Sequence, residues 1–178
     1  MDLNQKQKID EMKDCYLAIK NNKLDQLARC VEKYGVDAGY DDGTLLHQAI
    51  FQNNIEAVKY LLSASANSNA LYDQSVTPLI AAIDDKRWNI ARLLIENGAD
   101  VNLKDANNNS PLSKAIFHFD GDASLIEMLL RHGADPYQDL LNGYTPMDLA
   151  KSKKLANMMQ SLIDKNKHDS LKRDESVE

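Results

Sequence analysis

Apolar residues fall in short runs that return at a fixed interval along the chain. Tyr60-Leu61-Leu62, Leu93-Leu94-Ile95 and Met128-Leu129-Leu130 keep one phase. Ahead of them stand tighter stretches that start at Thr44, Thr77 and Ser110, with a fourth at Thr145, spaced by 33, 33 and 35 residues. Five positions after each start comes an alanine, at 49, 82, 115 and 150. Self-similarity at such a period predicts stacked supersecondary units, none of which can bury its apolar face alone.

Each unit reads as a helix pair. Thr or Ser at the start is a good N-cap, because its side-chain oxygen accepts from an orphan amide of the first turn. Proline at 78, 111 and 146 suits the next position, which needs no amide donor. The small alanine lets neighbouring helices approach, and the later Leu-Leu pairs mark a second helix that faces the stack. Gly98 and Gly133 then end that helix as left-handed C-caps. Residues such as Val101-Asn102-Leu103-Lys104-Asp105 form the extended turn to the next unit. Upstream, Cys15 to Ile19 and Leu24 to Val31 predict two more helices joined at Asn21-Asn22-Lys23. Leu24, Leu27, Ala28 and Val31 fall at i, i+3, i+4 and i+7, an apolar stripe.

These residues resemble the ankyrin repeat. The resemblance is carried by Thr44-Leu45-Leu46-His47-Gln48-Ala49, Thr77-Pro78-Leu79-Ile80-Ala81-Ala82, Ser110-Pro111-Leu112-Ser113-Lys114-Ala115 and Thr145-Pro146-Met147-Asp148-Leu149-Ala150. Leu93 to Asn102 is close to the family's commonest second-helix ending. The resemblance covers about residues 39–163 and implies an all-α solenoid of about four recognisable repeats. Their expected bounds are 39–71, 72–104, 105–139 and 140–164, the last a C-terminal cap whose second helix, Leu155 to Ile163, turns polar and Lys-rich. Residues 1–38 are expected to form a degenerate N-terminal repeat, and 165–178 a charged, flexible tail, either a frayed helix or disordered chain.

Three departures from the repeat matter. Leu45 replaces a proline, which weakens that helix start. Ser65 replaces the glycine after the second helix, so its turn should be less favourable. The third unit is two residues longer, and the excess at His118-Phe119-Asp120-Gly121-Asp122 predicts an enlarged loop between its helices.

Composition narrows the class further. With 43% apolar and 27% charged residues in 178, the chain reads as one soluble domain of ordinary composition. No secretory h-region or membrane-length apolar run is present, which points to a cytoplasmic protein. Two cysteines, Cys15 and Cys30, are expected as buried reduced thiols. The net charge of −6 is uneven: residues 1–38 are neutral, 39–146 carry −7 and 147–178 carry +1. An acidic middle repels a phosphate backbone and attracts a basic protein.

Catalytic chemistry finds no constellation. There is no phosphate loop, nucleophile elbow or His-Glu-x-x-His, and no enzyme activity, cofactor, metal or small-molecule ligand is expected. His47 sits where the family commonly has a histidine, implying a hydrogen bond between neighbouring turns. His132 precedes a helix-ending glycine, where a cation suits the helix dipole. Asp120 and Asp122 lack the ligand series of a calcium loop. Trp88, at the start of a second helix, is read as either a binding anchor or a half-buried packing residue.

What remains is a surface. Ankyrin proteins generally bind partners through a curved face of turn tips and first helices, so the resemblance implies a partner-binding set at the variable positions. These are Tyr40, Asp41, Phe51 and Gln52; then Asp73, Gln74, Val76, Asp84, Asp85 and Arg87; then Ala106, Asn107, Asn109, Phe117 and His118; then Asn142, Tyr144 and Lys153. The set mixes aromatic anchors with carboxylates. The expected function is non-catalytic binding of one protein partner through an acidic concave face. The chain also resembles bacterial ankyrin-type immunity proteins, which would make the partner a basic toxin domain. The alternative is a scaffold or secreted effector that binds host proteins.

Overall fold

The computed structural model describes residues 3–40, 43–72, 75–140 and 143–175, with side chains described from Met12 to Lys167 apart from Tyr40. The fold is all-α, with ten helices and one two-residue hairpin among the described residues. The chain divides into two compact units, Met1–Asp100 and Val101–Glu178.

In the first unit, α1 (Leu3–Lys20) pairs with α2 (Leu24–Tyr34), α3 (Leu45–Phe51) with α4 (Ile55–Ser63), and α5 (Pro78–Asp84) with α6 (Trp88–Glu96). The first helices α1, α3 and α5 form one layer and the second helices α2, α4 and α6 another. The second unit repeats the plan with α7 (Pro111–Phe117), α8 (Ser124–Arg131), α9 (Pro146–Ser152) and α10 (Ala156–Glu175). There α7 packs on α9 and α8 on α10. The core lies between the two layers, where Leu45, Leu46, Ile50, Leu79, Ile80 and Leu94 are fully buried in the first unit, as are Leu112 and Leu129 in the second.

The expected caps are present. Thr77 Oγ1 accepts from Ile80 N at 3.2 Å and Ser110 Oγ from Ser113 N at 3.2 Å, with a proline next in each case. Leu45, in place of that proline, is wholly buried, and its helix start is reinforced differently. His47 Nδ1 accepts from Thr44 N while Thr44 Oγ1 accepts from His47 N, a reciprocal capping box.

Four of the first helices, α1, α3, α5 and α9, close on their alanine. Lys23 N donates to Ala18 O, Asn54 N to Ala49 O and Arg87 N to Ala82 O in the first unit, and Leu155 N to Ala150 O in the second. The preceding residue takes a left-handed φ in all four: Asn22 at 52°, Asn53 at 51°, Lys86 at 56° and Lys154 at 61°. Ala18 therefore holds the same place as Ala49 and Ala82, and α1–α2 is a repeat. Second helices end likewise, with Ser65 at φ 67°, Gly98 at 81° and Gly133 at 87°. Side chains then tie consecutive turns within a unit. Asp37 Oδ1 accepts from Asn67 N at 2.7 Å, Asn69 Oδ1 from Asp100 N at 2.8 Å, and Asn102 Oδ1 from Asp135 N at 2.9 Å.

The structure departs from expectation in the cysteines and in the start of the first helix. Cys15 and Cys30 are not free thiols; they form a disulfide between α1 and α2. Spacing alone did not reveal the pair, because it is the antiparallel docking of the two helices that brings their Cα atoms to 5.8 Å. Helix α1 starts at Leu3, well before Cys15, and α10 continues past Ile163 to Glu175. The long insert is where it was expected: residues 118–123 separate α7 from α8, against 85–87 between α5 and α6.

Two stability predictions follow from these bonds. Ser65 is exposed at a left-handed φ that only glycine adopts without steric cost, so Ser65→Gly should stabilise by roughly 0.5–1 kcal/mol in urea unfolding. The disulfide closes a separation of 15 residues, so Cys15→Ala/Cys30→Ala should lower stability by roughly 3 kcal/mol on the loop-entropy model. Thiol titration of the native chain should find no reactive sulfhydryl until reductant is added.

Candidate functional site

The interhelical turns that follow α1, α3, α5 and α9 are fixed by backbone bonds to the alanine carbonyls. In the first unit the residue two after the recurring alanine is Lys20, Phe51 or Asp84. Asp84 and Asp85 are exposed at the end of α5, just before the left-handed Lys86. Phe51 is half-buried and held edge-on to Tyr72, centroids 5.7 Å apart, with His47 5.9 Å from Tyr72. Tyr72 was not legible as part of a site, since its neighbours along the chain give no apolar period. Gln52 is exposed, and Leu71, another residue outside the expected set, is 54% exposed.

Val76 serves the fold through its backbone. Its carbonyl accepts from Tyr72 N at 2.8 Å and lies 3.3 Å from His47 Nε2. The histidine tautomer follows from its partners. Nδ1 accepts from the Thr44 amide and so carries no proton, which leaves Nε2–H to donate to the Val76 carbonyl. Burial depresses the His47 pKa, and the Val76 bond only partly opposes that. The expected bond between neighbouring turns is therefore present. Arg87 is half-buried, and its Nε is buried with no hydrogen-bond partner among the described residues. Trp88 is half-buried at the start of α6.

In the second unit Phe117 is 67% exposed at the end of α7, with the His118 ring edge-on at 5.2 Å. Tyr144 is 59% exposed at the turn before α9, and Lys153 is exposed at the end of α9. Asn107 and Ala106 are exposed, but Asn109 is drawn into the turn. Asp105 Oδ1 accepts from the amides of Asn107 and Asn109, both at 2.9 Å, and Oδ2 meets Lys114 Nζ at 3.2 Å. Burial would raise the Asp105 pKa, but the Asn109 and Lys114 bonds together hold it below the usual carboxylate range. In the insert, Asp122 Oδ1 accepts from Ser124 N at 2.9 Å, so this carboxylate caps α8. At the next turn His132 Nδ1 donates to Met128 O at 2.9 Å, which closes α8. Asp41, Asp73, Gln74 and Asn142 lie outside the described residues, as does the side chain of Tyr40.

Paired helices, capped by Thr or Ser and closed on alanine, match the ankyrin-repeat family over residues 15–105 in three copies. The chain belongs to the ankyrin-repeat family. Ankyrin repeats are a non-catalytic fold that binds protein partners. The match begins at Cys15, so it takes in the end of α1 and all of α2.

Among similar proteins, the yeast "Probable 26S proteasome regulatory subunit p28" is 36% identical over 121 residues, 66% of this chain and 50% of that protein. The mouse "B-cell lymphoma 3 protein homolog" is 31% identical over 122 residues, 68% of this chain and 27% of that one. The human "Transient receptor potential cation channel subfamily A member 1" is 33% identical over 108 residues, 60% of this chain and 10% of the channel. The chain thus spans half or less of the length of these ankyrin-containing relatives.

The His47 geometry gives a pH prediction. Its folded pKa lies below that of the unfolded side chain, about 6.5. Between those two values the unfolded chain holds a proton that the folded chain does not, so stability rises with pH there. The contribution is complete above about pH 6.5 and falls away as the pH drops toward the folded pKa, by at most about 1.4 kcal/mol per pH unit. In His47→Gln the amide can still accept from Thr44 and donate to Val76 but does not titrate. Urea midpoints measured from pH 8 to pH 5 should therefore fall more steeply for the native chain than for this variant.

Proposed function

We propose that this ankyrin chain is a dedicated, non-catalytic binder that recognises a single protein partner. It does so through the exposed ends of its first helices and the turns before them. The observation that carries the proposal is that Asp84 and Asp85 in the first unit, and Phe117 and Tyr144 in the second, are exposed at first-helix ends and the turns before them. Two adjacent carboxylates on the first unit favour a basic patch on the partner, with aromatics as anchors.

Neutralising a basic toxin is the narrower form of this proposal. It rests on the acidity of residues 39–146 alone, and the three relatives named above are eukaryotic proteins, which lend it no support. The scaffold or effector form shares the same surface and differs only in the partner.

The test is to isolate the partner with the full chain as bait, then compare affinities of variants. Asp84→Lys/Asp85→Lys should lose more than about tenfold at low salt, and Phe117→Ala a comparable factor, with unchanged helicity by circular dichroism. Undiminished binding by both variants would put the interface elsewhere. A toxin-neutralising role further requires that co-expression of the chain rescue cells from the isolated partner.

A further inference from the structure

The N-terminal repeat is closed by other means than the two that follow it in the first unit. Helix α1 packs on α3 and α2 on α4, whereas α3 and α4 are also packed against α5 and α6. No Thr-Pro start marks α1. Lys23, at the N-cap of α2, makes no side-chain cap, where Asn54 caps α4 by accepting from Ala57 N at 2.9 Å. Polar ties from the pair to the next repeat include Asn54 Nδ2 donating to the Ile19 carbonyl at 2.6 Å and the Tyr16 hydroxyl donating to the Gly43 carbonyl at 3.3 Å. Within the pair, the covalent bond between Cys15 on α1 and Cys30 on α2 takes the place of the missing caps. These are the only two cysteines in the sequence, so the bond has two states and no alternative pairing within the chain. Its two ends are unequal: Cys15 is wholly buried, whereas Cys30 is half-buried.

We propose that the Cys15–Cys30 bond is a reversible redox site, opened at Cys30 by a dithiol reductant, and that its state sets how firmly the N-terminal repeat is held on α3 and α4. A thiolate of the reductant attacks the Cys30 sulfur, the S–S bond breaks, and Cys15 leaves as a thiolate that takes up a proton. The reductant's second thiolate then attacks its own sulfur in the mixed disulfide and releases Cys30. Two electrons and two protons pass from the dithiol to the chain, and the dithiol becomes a disulfide. Access selects the point of attack, because exchange needs the approaching sulfur to reach its target. The consequence is local for a topological reason. Both cysteines lie inside the helix pair that opens, so the cross-link restrains that opening alone, and in stacked repeats each pair leans chiefly on its neighbour. Reduction therefore loosens α1 and α2 and uncovers the apolar sides of α3 and α4 that they cover. The site is separate from the acidic surface at Asp84 and Asp85 and can fail or succeed without it.

The test uses the full native chain. Dithiothreitol should reduce the bond at a rate proportional to its concentration and flat in urea below the unfolding transition. With glutathione in excess, alkylation and peptide mapping should find the added thiol on Cys30 and the alkyl group on Cys15. Amide exchange read by mass spectrometry should rise roughly a hundredfold in α1 and α2 on reduction, with α5 and α6 unchanged. Removal of the reductant and addition of glutathione disulfide should restore the slow exchange. A bond reduced only as fast as the whole chain unfolds is a structural cross-link and would overturn the proposal. So would a mixed disulfide mapped to Cys15, exchange in α1 and α2 that ignores reduction, or a rise that spreads equally to α5 and α6 or fails to reverse.

Discussion

A helix of seven residues does not persist in water by itself, because nucleation outweighs the few hydrogen bonds it gains. Four of the first helices here, α3, α5, α7 and α9, have that length. Their existence depends on closing both ends and on stacking against the next pair. A Thr or Ser oxygen satisfies the amino end. At the other end of α3, α5 and α9, the chain turns through a left-handed residue and its next amide returns to the carbonyl of the alanine. That bond fixes where the second helix starts. The alanine itself carries no side chain long enough to keep the adjoining helix away.

This economy explains where sequence is free to vary. Once the alanine carbonyl has fixed the turn, the residues two and three positions later need only be tolerated there. In the first unit the former are Lys20, Phe51 and Asp84: a cation, an aromatic ring and a carboxylate at one backbone position. The third repeat departs furthest. It opens the turn into residues 118–123, keeps Gly121 at φ 120° within them and uses Asp122 to cap α8 instead. A longer loop is tolerated because closure entropy grows only slowly with length.

Much of this was legible in the sequence because it is periodic. The caps at Thr44, Thr77, Ser110 and Thr145, the proline starts and the glycine ends recur in register, and each rests on a local bond. The N-terminal pair was legible in outline only. Ala18 lies 31 residues before Ala49, but no Thr-Pro start marks its helix, and Lys13 and Tyr16 stand where Thr44 and His47 stand in the next repeat. The Cys15–Cys30 bond was missed because it depends on how two helices dock. Asn69 and Asn102 were missed because their partners lie about a repeat away, and one sequence shows spacing without showing contact. The candidate surface was legible as positions but not as roles. Val76 and Asn109 prove to hold the turns together, whereas Phe117 and Tyr144 stand clear of the core.

The exposed residues divide by physics into two kinds of contribution. Asp84 and Asp85 are exposed, and at an exposed site a single ion pair is worth about 1 kcal/mol or less and is screened by salt. Their field acts over a Debye length, so in the interface proposed above they would govern how often a partner arrives in a productive orientation. Phe117 and Tyr144, the anchors of that proposal, would act only on contact, since apolar area counts once water has left it. They govern how long an encounter lasts. A surface built this way keeps its carboxylates for rate and its apolar anchors for residence. The identity of a partner is then set by the anchors, because many proteins carry a basic patch but few place a fitting cavity or helix face beside it.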